Sequence, residues 1–390
     1  MAAVTPLGES LASLWAAIQA DRRICDRGVV SEAANLTLRS QAMVNAAAMG
    51  FAYPAGLMED MPKRVGGACD GMAGLFSIPG SAYLDRSIEL GSMACLQALA
   101  DAGWSAEVCA QGDTALIVAT SKGPVLRLLE ACAALKSDRP LAERLAWHVA
   151  MGPAALQTVL TEIVKPGGAV QTHIAACAGS LIALQQACNG IRRGEFTRAV
   201  VVAADASIDP IFEHSFDNLG IFAKCDETGH RRCRPFDASG GGFFISEAAA
   251  AICLQAGDSG AVEVENCWMG ADATHLLAID PAGRSLARGL RTCAGGHSVA
   301  FVHAHAAGTQ HDQVEAGAIA AACGNATPYF SHKRWLGHSL GASGLVGLVI
   351  STMCHQNAIL PTGQSISRPA RSITIGQGFG GHIGMCVLAG

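Results

Sequence analysis

Three residues in this 390-residue chain combine a reactive side chain with a place at the end of an apolar, strand-like run: Cys177, His305 and His338. Cys177 closes AVQTHIAAC (169–177) and stands just before a helical stripe over 180–193, built from Leu181, Leu184, Ala187, Cys188 and Ile191. A thiol at a helix N-terminus faces free backbone N–H groups and the positive end of the dipole. That favours thiolate and makes Cys177 a candidate nucleophile; the plainer alternative is a buried Cys at a strand–helix turn. His305, in HAHAAGT (303–309), and His338, in KRWLGHSLGA (333–342), also follow apolar strands and adjoin Gly. Strand-end loops are where α/β proteins place reactive groups. A lone His there is more often structural, but two of them with one Cys suit thioester chemistry, in which imidazoles stabilise an oxyanion or enolate. Gly378-Phe379-Gly380-Gly381 adds a turn with exposed N–H groups. It offers an oxyanion donor and, in Phe379, a gate; a simple hairpin turn is the alternative, and it is no dinucleotide fingerprint.

The elements that must hold these residues alternate between strand and helix. Residues 113–123 read as a buried strand, 140–165 as helix, and 199–206 (AVVVAADA) as a strand buried on both faces. With the helix over 180–193 and Gly194 as its C-cap, this makes a strand–helix–strand unit and hence a parallel sheet. The rhythm returns in the second half, with strands at 299–309 and 327–334, helices at 313–322 and 341–356, and two strands joined by a Gly-rich turn at 372–389. The prediction is an α/β protein of two comparable halves, divided at 1–250 and 251–390.

Composition narrows the function classes. Half of the chain is hydrophobic and only 15% is charged, so it has the makings of a large core. Net charge is −5 with no basic block, against a nucleic-acid binder. No apolar run reaches the roughly 18 residues of a membrane span, and MAAVTPLGES lacks the features of a signal peptide, so a cytoplasmic protein is expected. The 15 Cys lie scattered from Cys25 to Cys386 without a C-x-x-C pair, which points to buried thiols and not to a metal site.

The ordered motifs resemble those of the β-ketoacyl-acyl-carrier-protein synthases. They are VTPLG (4–8), Cys177 between Ala176 and Ala178, RPFD (234–237) with Gly242, Phe243 and Glu247, His305 with Gly308-Thr309, Lys333 with Gly337-His338 and Gly341-Ala342, and Gly378-Phe379-Gly380-Gly381. The resemblance implies the thiolase fold, a five-layered αβαβα arrangement with two pseudo-repeated halves. It implies that Cys177 takes the acyl chain and that the N–H groups of Cys177 and Phe379 form an oxyanion hole. His305 and His338 would assist malonyl decarboxylation, Lys333 would set the electrostatics of the histidines, and Glu247 would support Lys333. Thr309, Gly378 and Gly380 would hold the phosphopantetheine arm, which arrives on an acyl carrier protein, so no metal or resident cofactor is expected. A homodimer, or a heterodimer with a paralogue, is the implied assembly.

His338, where initiating enzymes have Asn, resembles the elongating class. His382 after Gly381, with the nearest Cys at Cys386, departs from the thiolases. Other departures are Ala307 in place of a Thr, Gly240-Gly241 in place of Arg-Asp, a shorter loop between Thr309 and Asp312, and no apolar first strand ahead of VTPLG. They favour a specialised polyketide or polyene pathway over housekeeping elongation. They also keep open a non-catalytic, chain-length-factor-like partner subunit, with a thioesterase or simple acyltransferase as a third reading.

Overall fold

The computed structural model describes residues 1–8, 10–24, 85–111, 113–135, 152–257 and 262–390. Two five-stranded sheets organise them. The first has the order β1 (Ala2–Val4), β5 (Ala248–Gln255), β4 (Arg198–Asp205), β2 (Thr114–Ala119), β3 (Val170–His173). The second has the order β6 (Glu263–Ala271), β10 (His382–Ala389), β9 (Arg371–Gly378), β7 (Phe301–His303), β8 (Tyr329–Phe330). Adding five to each strand number of the first order gives the second. The pairing senses match too: two antiparallel steps, β1/β5/β4 and β6/β10/β9, then two parallel ones, β4/β2/β3 and β9/β7/β8. The internal duplication is therefore written in the topology.

Side-chain alternation explains the layering. In β4, Val200, Val202 and Ala204 face an outer core shared with α2 (Arg86–Ala102) and α5 (Ala155–Val164), while Ala199, Val201 and Ala203 face the centre. The centre is filled by α6 (Gly179–Arg192) and α11 (Ser343–Asn357), which lie between the two sheets. Residues 343–351 of α11 are buried all round, as a helix with protein on every side requires. On the far side, α8 (Arg284–Ala294) and α9 (His311–Cys323) cover Ile373, Ile375, Ile383, Met385 and Val387 of the second sheet. The result is the five-layered αβαβα arrangement. No helix among the described residues is long and apolar enough to cross a membrane.

Several boundaries differ from the sequence reading. The first strand is present after all, because Ala2–Val4 pair with Ala249–Ala251 on the sheet edge. β5 runs to Gln255, so membership of the first sheet extends past 250. The helix read over 140–165 is observed as α5; residues 140–151 lie outside the described residues. Of 327–334 only Tyr329–Phe330 are strand, since the chain then turns through the short α10 (Lys333–Leu336). Among the described cysteines, all of them free, most are buried.

Candidate active site

The nucleophile candidate sits in a sharp elbow. β3 ends at His173 and α6 begins at Gly179. Between them Ala176 adopts a left-handed φ of 46°, and Ala178 N–H donates to the Ala175 carbonyl at 3.1 Å. A non-glycine residue held there is strained, and the strain lifts the next side chain out of the strand–helix path. Gly378, at the end of β9, makes room for the elbow: a Cβ there would lie 2.9 Å from Cys177 N. Neither the Cys177 nor the Phe379 N–H donates to another described residue. Two neighbouring strand ends thus present unused donors beside one thiol.

A cavity of about 190 Å³ brings Cys177, His305, His338, Thr309, Gly378 and Phe379 together. The imidazoles of His305 and His338 lie 5.4 Å apart, edge to face at 78°. His305 follows β7, and the Gln377 N–H donates to its Nδ1 at 3.2 Å. Because Nδ1 accepts, the ring proton of neutral His305 is on Nε2. His338 is held by its backbone: its N–H donates to the Phe244 carbonyl at 3.0 Å, and its carbonyl accepts from Ser246 N–H at 3.0 Å. Its ring packs at right angles to that of Phe243, centroids 4.9 Å apart, and its buried Nδ1 has no hydrogen-bond partner among the described residues. Burial first, then the Lys333 charge, pushes both imidazoles well below their ordinary pKa. Both are neutral donors or acceptors at physiological pH.

Two carboxylates on the first turns of α9 shape the loop that carries His305. Glu315 accepts from His305 N–H at 2.7 Å and Ala306 N–H at 2.8 Å. Asp312 accepts from Ala307, Gly308 and Thr309 N–H groups at 3.1, 2.9 and 3.3 Å, and from Phe236 N–H at 2.9 Å. Acids at a helix N-terminus are favoured by the dipole as well. The buried Lys333 ammonium donates to the His305 carbonyl. Burial lowers its pKa and raises that of Glu315, while attraction between the two opposes both shifts. Behind Lys333, His332 Nδ1 and His303 Nε2 share a hydrogen bond at 2.8 Å, and Ser343 and Ser351 hold their outer nitrogens at 3.2 and 3.0 Å. This pair stiffens the segment that delivers Lys333.

The structure corrects three sequence-based expectations. Glu247 is paired with Arg86. Its carboxylate accepts from the Arg86 guanidinium at 2.9 Å, and the carboxylate acting most strongly on Lys333 is Glu315. Gly380 is not on the cavity wall; its N–H donates to the Leu276 carbonyl at 2.9 Å. For the Cys177 thiol, the largest influence is burial, which works against the thiolate expected at a helix start. Burial pushes the thiol up to about 11, outweighing Lys122 and Lys333, which pull it down. Cys177 also precedes the first helical residue by two positions, away from the strongest part of the dipole. Of the departures, Gly240 has a steric reason: a Cβ there would meet the Asp237 and Gly308 carbonyls at 2.8 and 2.9 Å. Ala307 places a methyl group on the wall.

Sequence reading missed Asp312, Glu315, Lys122 and Asp205. The signal for the first two was present as acids three residues apart, opening a helix just after the His305 motif. Lys122 and Asp205 carry no motif and converge only in three dimensions.

Comparison with known proteins agrees with this geometry. Residues 1–259 match the family description "Beta-ketoacyl synthase, N-terminal domain" and 263–366 match "Beta-ketoacyl synthase, C-terminal domain". A putative polyketide beta-ketoacyl synthase 1 of Streptomyces halstedii is 28% identical over 62% of this chain and 66% of its own length. A 3-oxoacyl-[acyl-carrier-protein] synthase 2 of Mycobacterium leprae is 31% identical over 53% of each chain. The matched region thus spans about half to two thirds of these curated relatives. A β-ketoacyl synthase from Burkholderia phymatum superposes with a TM-score of 0.78 at 20% identity, covering 100% of this chain and 97% of that one. The ishigamide ketosynthase/chain length factor superposes at 0.75 and 19% identity, covering 100% and 97%. Duplicated topology, elbow cysteine and paired histidines are thus accompanied by family matches along nearly the whole chain, which belongs to the β-ketoacyl synthase family.

Proposed function

We propose that this protein catalyses the decarboxylating Claisen condensation of an acyl group, held on Cys177, with malonyl-acyl-carrier protein. The observation that carries the reading is one cavity holding a strained-elbow thiol, two unused backbone N–H groups and two neutral imidazoles. In the first step the Cys177 sulfur attacks the carrier thioester and the tetrahedral oxyanion is stabilised by the Cys177 and Phe379 N–H groups. The departing pantetheine thiol takes the proton that Cys177 gives up. In the second, the malonyl carboxylate leaves as carbon dioxide and its electron pair becomes a thioester enolate. The His305 Nε2–H donates to the enolate oxygen, with His338 beside it. The enolate carbon attacks the acyl-Cys177 carbonyl, giving a 3-oxoacyl thioester and expelling the Cys177 thiolate, which takes a proton from water.

Lys333 acts through the loop it grips, and Thr309 and Gly378 line the path of the pantetheine arm, which comes with the substrate. The Streptomyces relative's name supports a polyketide setting, and the ketosynthase/chain length factor structure supports a dimer, homodimeric or with a paralogue. That structure also motivates a chain-length-factor-like partner role, although the intact cavity and Cys177 favour catalysis.

The test is intact-protein mass after mixing the protein with a panel of acyl-carrier-protein thioesters, with Cys177→Ser as control. One acyl mass on the wild type alone, and a 3-oxo product two carbons longer once malonyl-carrier is added, are expected. A folded protein that takes no acyl group fits the partner-subunit reading.

A further inference from the structure

The loop after β2 brings a cation into the cavity that the proposed reaction does not use. Lys122 lies on the cavity wall among Phe216, Ile221, Phe243 and Leu340. The loop is built and not loose. Gly123 N–H donates to Thr120 Oγ1 at 3.0 Å, and the buried Asp205 carboxylate accepts from Ser121 N–H at 2.9 Å and Gly341 N–H at 3.1 Å. Asp205 thereby ties the Lys122 loop to the turn that follows His338. The Lys122 ammonium donates to its own neighbour, Ser121 Oγ, at 3.0 Å and sits 5.2 Å from the centre of the Phe212 ring. Among the described residues it has no carboxylate partner. Of its three N–H donors, the structure accounts for one.

A saturated alkyl chain packed against this wall would strip water from the ammonium and return no hydrogen bond, which costs affinity. An oxygen acceptor on the acyl group would fill the remaining donors, and a charge-assisted bond in a water-poor cavity is among the stronger polar contacts. We propose that Lys122 is a specificity determinant, selecting acyl groups that carry an oxygen acceptor beyond the thioester, a carboxylate or ketone oxygen, over plain alkyl chains. This rests on the proposed function, since it concerns the acyl group that Cys177 accepts.

The experiment measures acylation rates of Cys177 by intact mass for wild type, Lys122→Met and Lys122→Arg. The probes are three pantetheine thioesters of equal length: hexanoyl, 3-oxohexanoyl and the six-carbon dicarboxylic monothioester. The wild type is expected to prefer one or both oxygenated chains. Lys122→Met should lose that preference by about tenfold or more, slowing the oxygenated chains well beyond any slowing of hexanoyl, and Lys122→Arg should keep most of it. The two oxygenated arms distinguish a carboxylate from a ketone as the group recognised. Three results would overturn the assignment: unchanged selectivity in Lys122→Met; equal slowing with all three thioesters, which places Lys122 on the thiol and not the acyl chain; or unchanged acylation with altered malonyl decarboxylation, which assigns it to the extender's carboxylate. If no thioester acylates the wild type, the proposed function falls and this inference with it.

Discussion

His305 offers the sharpest test, because its two ring nitrogens have separate duties that two substitutions divide. Nδ1 accepts the Gln377 N–H, a structural bond, and Nε2–H is left as the donor to the developing enolate. In His305→Asn the amide oxygen can take the place of Nδ1 and keep the Gln377 bond, but nothing reaches the place of Nε2. In His305→Gln the longer amide can present an N–H near the place of Nε2, while the Gln377 N–H is stranded. Loss of one preorganised donor to an oxyanion lowers rates by about 10²–10³, roughly 2.7–4 kcal/mol. A stranded buried donor costs about 1–3 kcal/mol of stability. His305→Asn should therefore fold with near wild-type stability and acylate Cys177 normally, yet release carbon dioxide from malonyl-carrier about 10²–10³ times more slowly. His305→Gln should retain more decarboxylation than His305→Asn but unfold at lower denaturant. The assays are carbon dioxide release, intact mass for acylation, and urea unfolding. Decarboxylation by His305→Asn within about threefold of wild type, with acylation intact, would refute the division of labour.

Two further outcomes follow from the same geometry. Asp312→Asn keeps the side-chain shape but turns one accepting oxygen into a donor facing backbone N–H groups; with two N–H groups left unsatisfied, a loss of about 2–6 kcal/mol and weakened turnover are expected, measured by urea unfolding and product formation. Because burial holds the Cys177 thiol at about 11, its thiolate fraction is small at pH 7 and rises about tenfold per pH unit, so alkylation of Cys177 by iodoacetamide, followed by peptide mass, should climb steadily from pH 7 to 10; a plateau below pH 8 would show an acidified thiol instead.

How much of this was legible in the sequence depends on whether the determinant is local. β4 and α6 were readable because consecutive apolar residues and a helical stripe are written along the chain. Cys177, His305 and His338 were readable because each ends such an element. Residues 327–334 misread as one strand because the apolar character of Tyr329–Phe330 belongs to a two-residue strand, after which buried polar contacts take over. Ser331, His332 and Lys333 are held by Ala306, His303 and the His305 carbonyl. Cys177 shows the same limit: position before a helix is visible in sequence, whereas the burial that opposes its thiolate is not. Glu247 and Glu315 are both acids at plausible distances along the chain, and only folding decides that one meets Arg86 and the other the His305 loop.

The duplicated topology explains why the cavity exists and why Lys122 belongs in it. Under the five-strand correspondence β2 matches β7, β3 matches β8 and β4 matches β9. The residues that follow these strands build the cavity and its support: Lys122 follows β2, as His305 follows β7; Cys177 follows β3, as His338 follows β8; Gly378 ends β9, while Asp205, at the end of β4, holds the Lys122 loop. Parallel strands expose their carboxyl ends on one side, and two such sheets facing a shared pair of central helices must bring six strand ends together. The halves have then diverged in chemistry, the first supplying the thiol and a cation, the second the imidazoles and the carboxylates behind them. Lys122 thus stands on the first half's counterpart of the His305 loop, opposite the donor to the enolate. A cation placed there by the architecture, on a loop pinned to the His338 turn through Asp205, is positioned to meet whatever oxygen the acyl group brings.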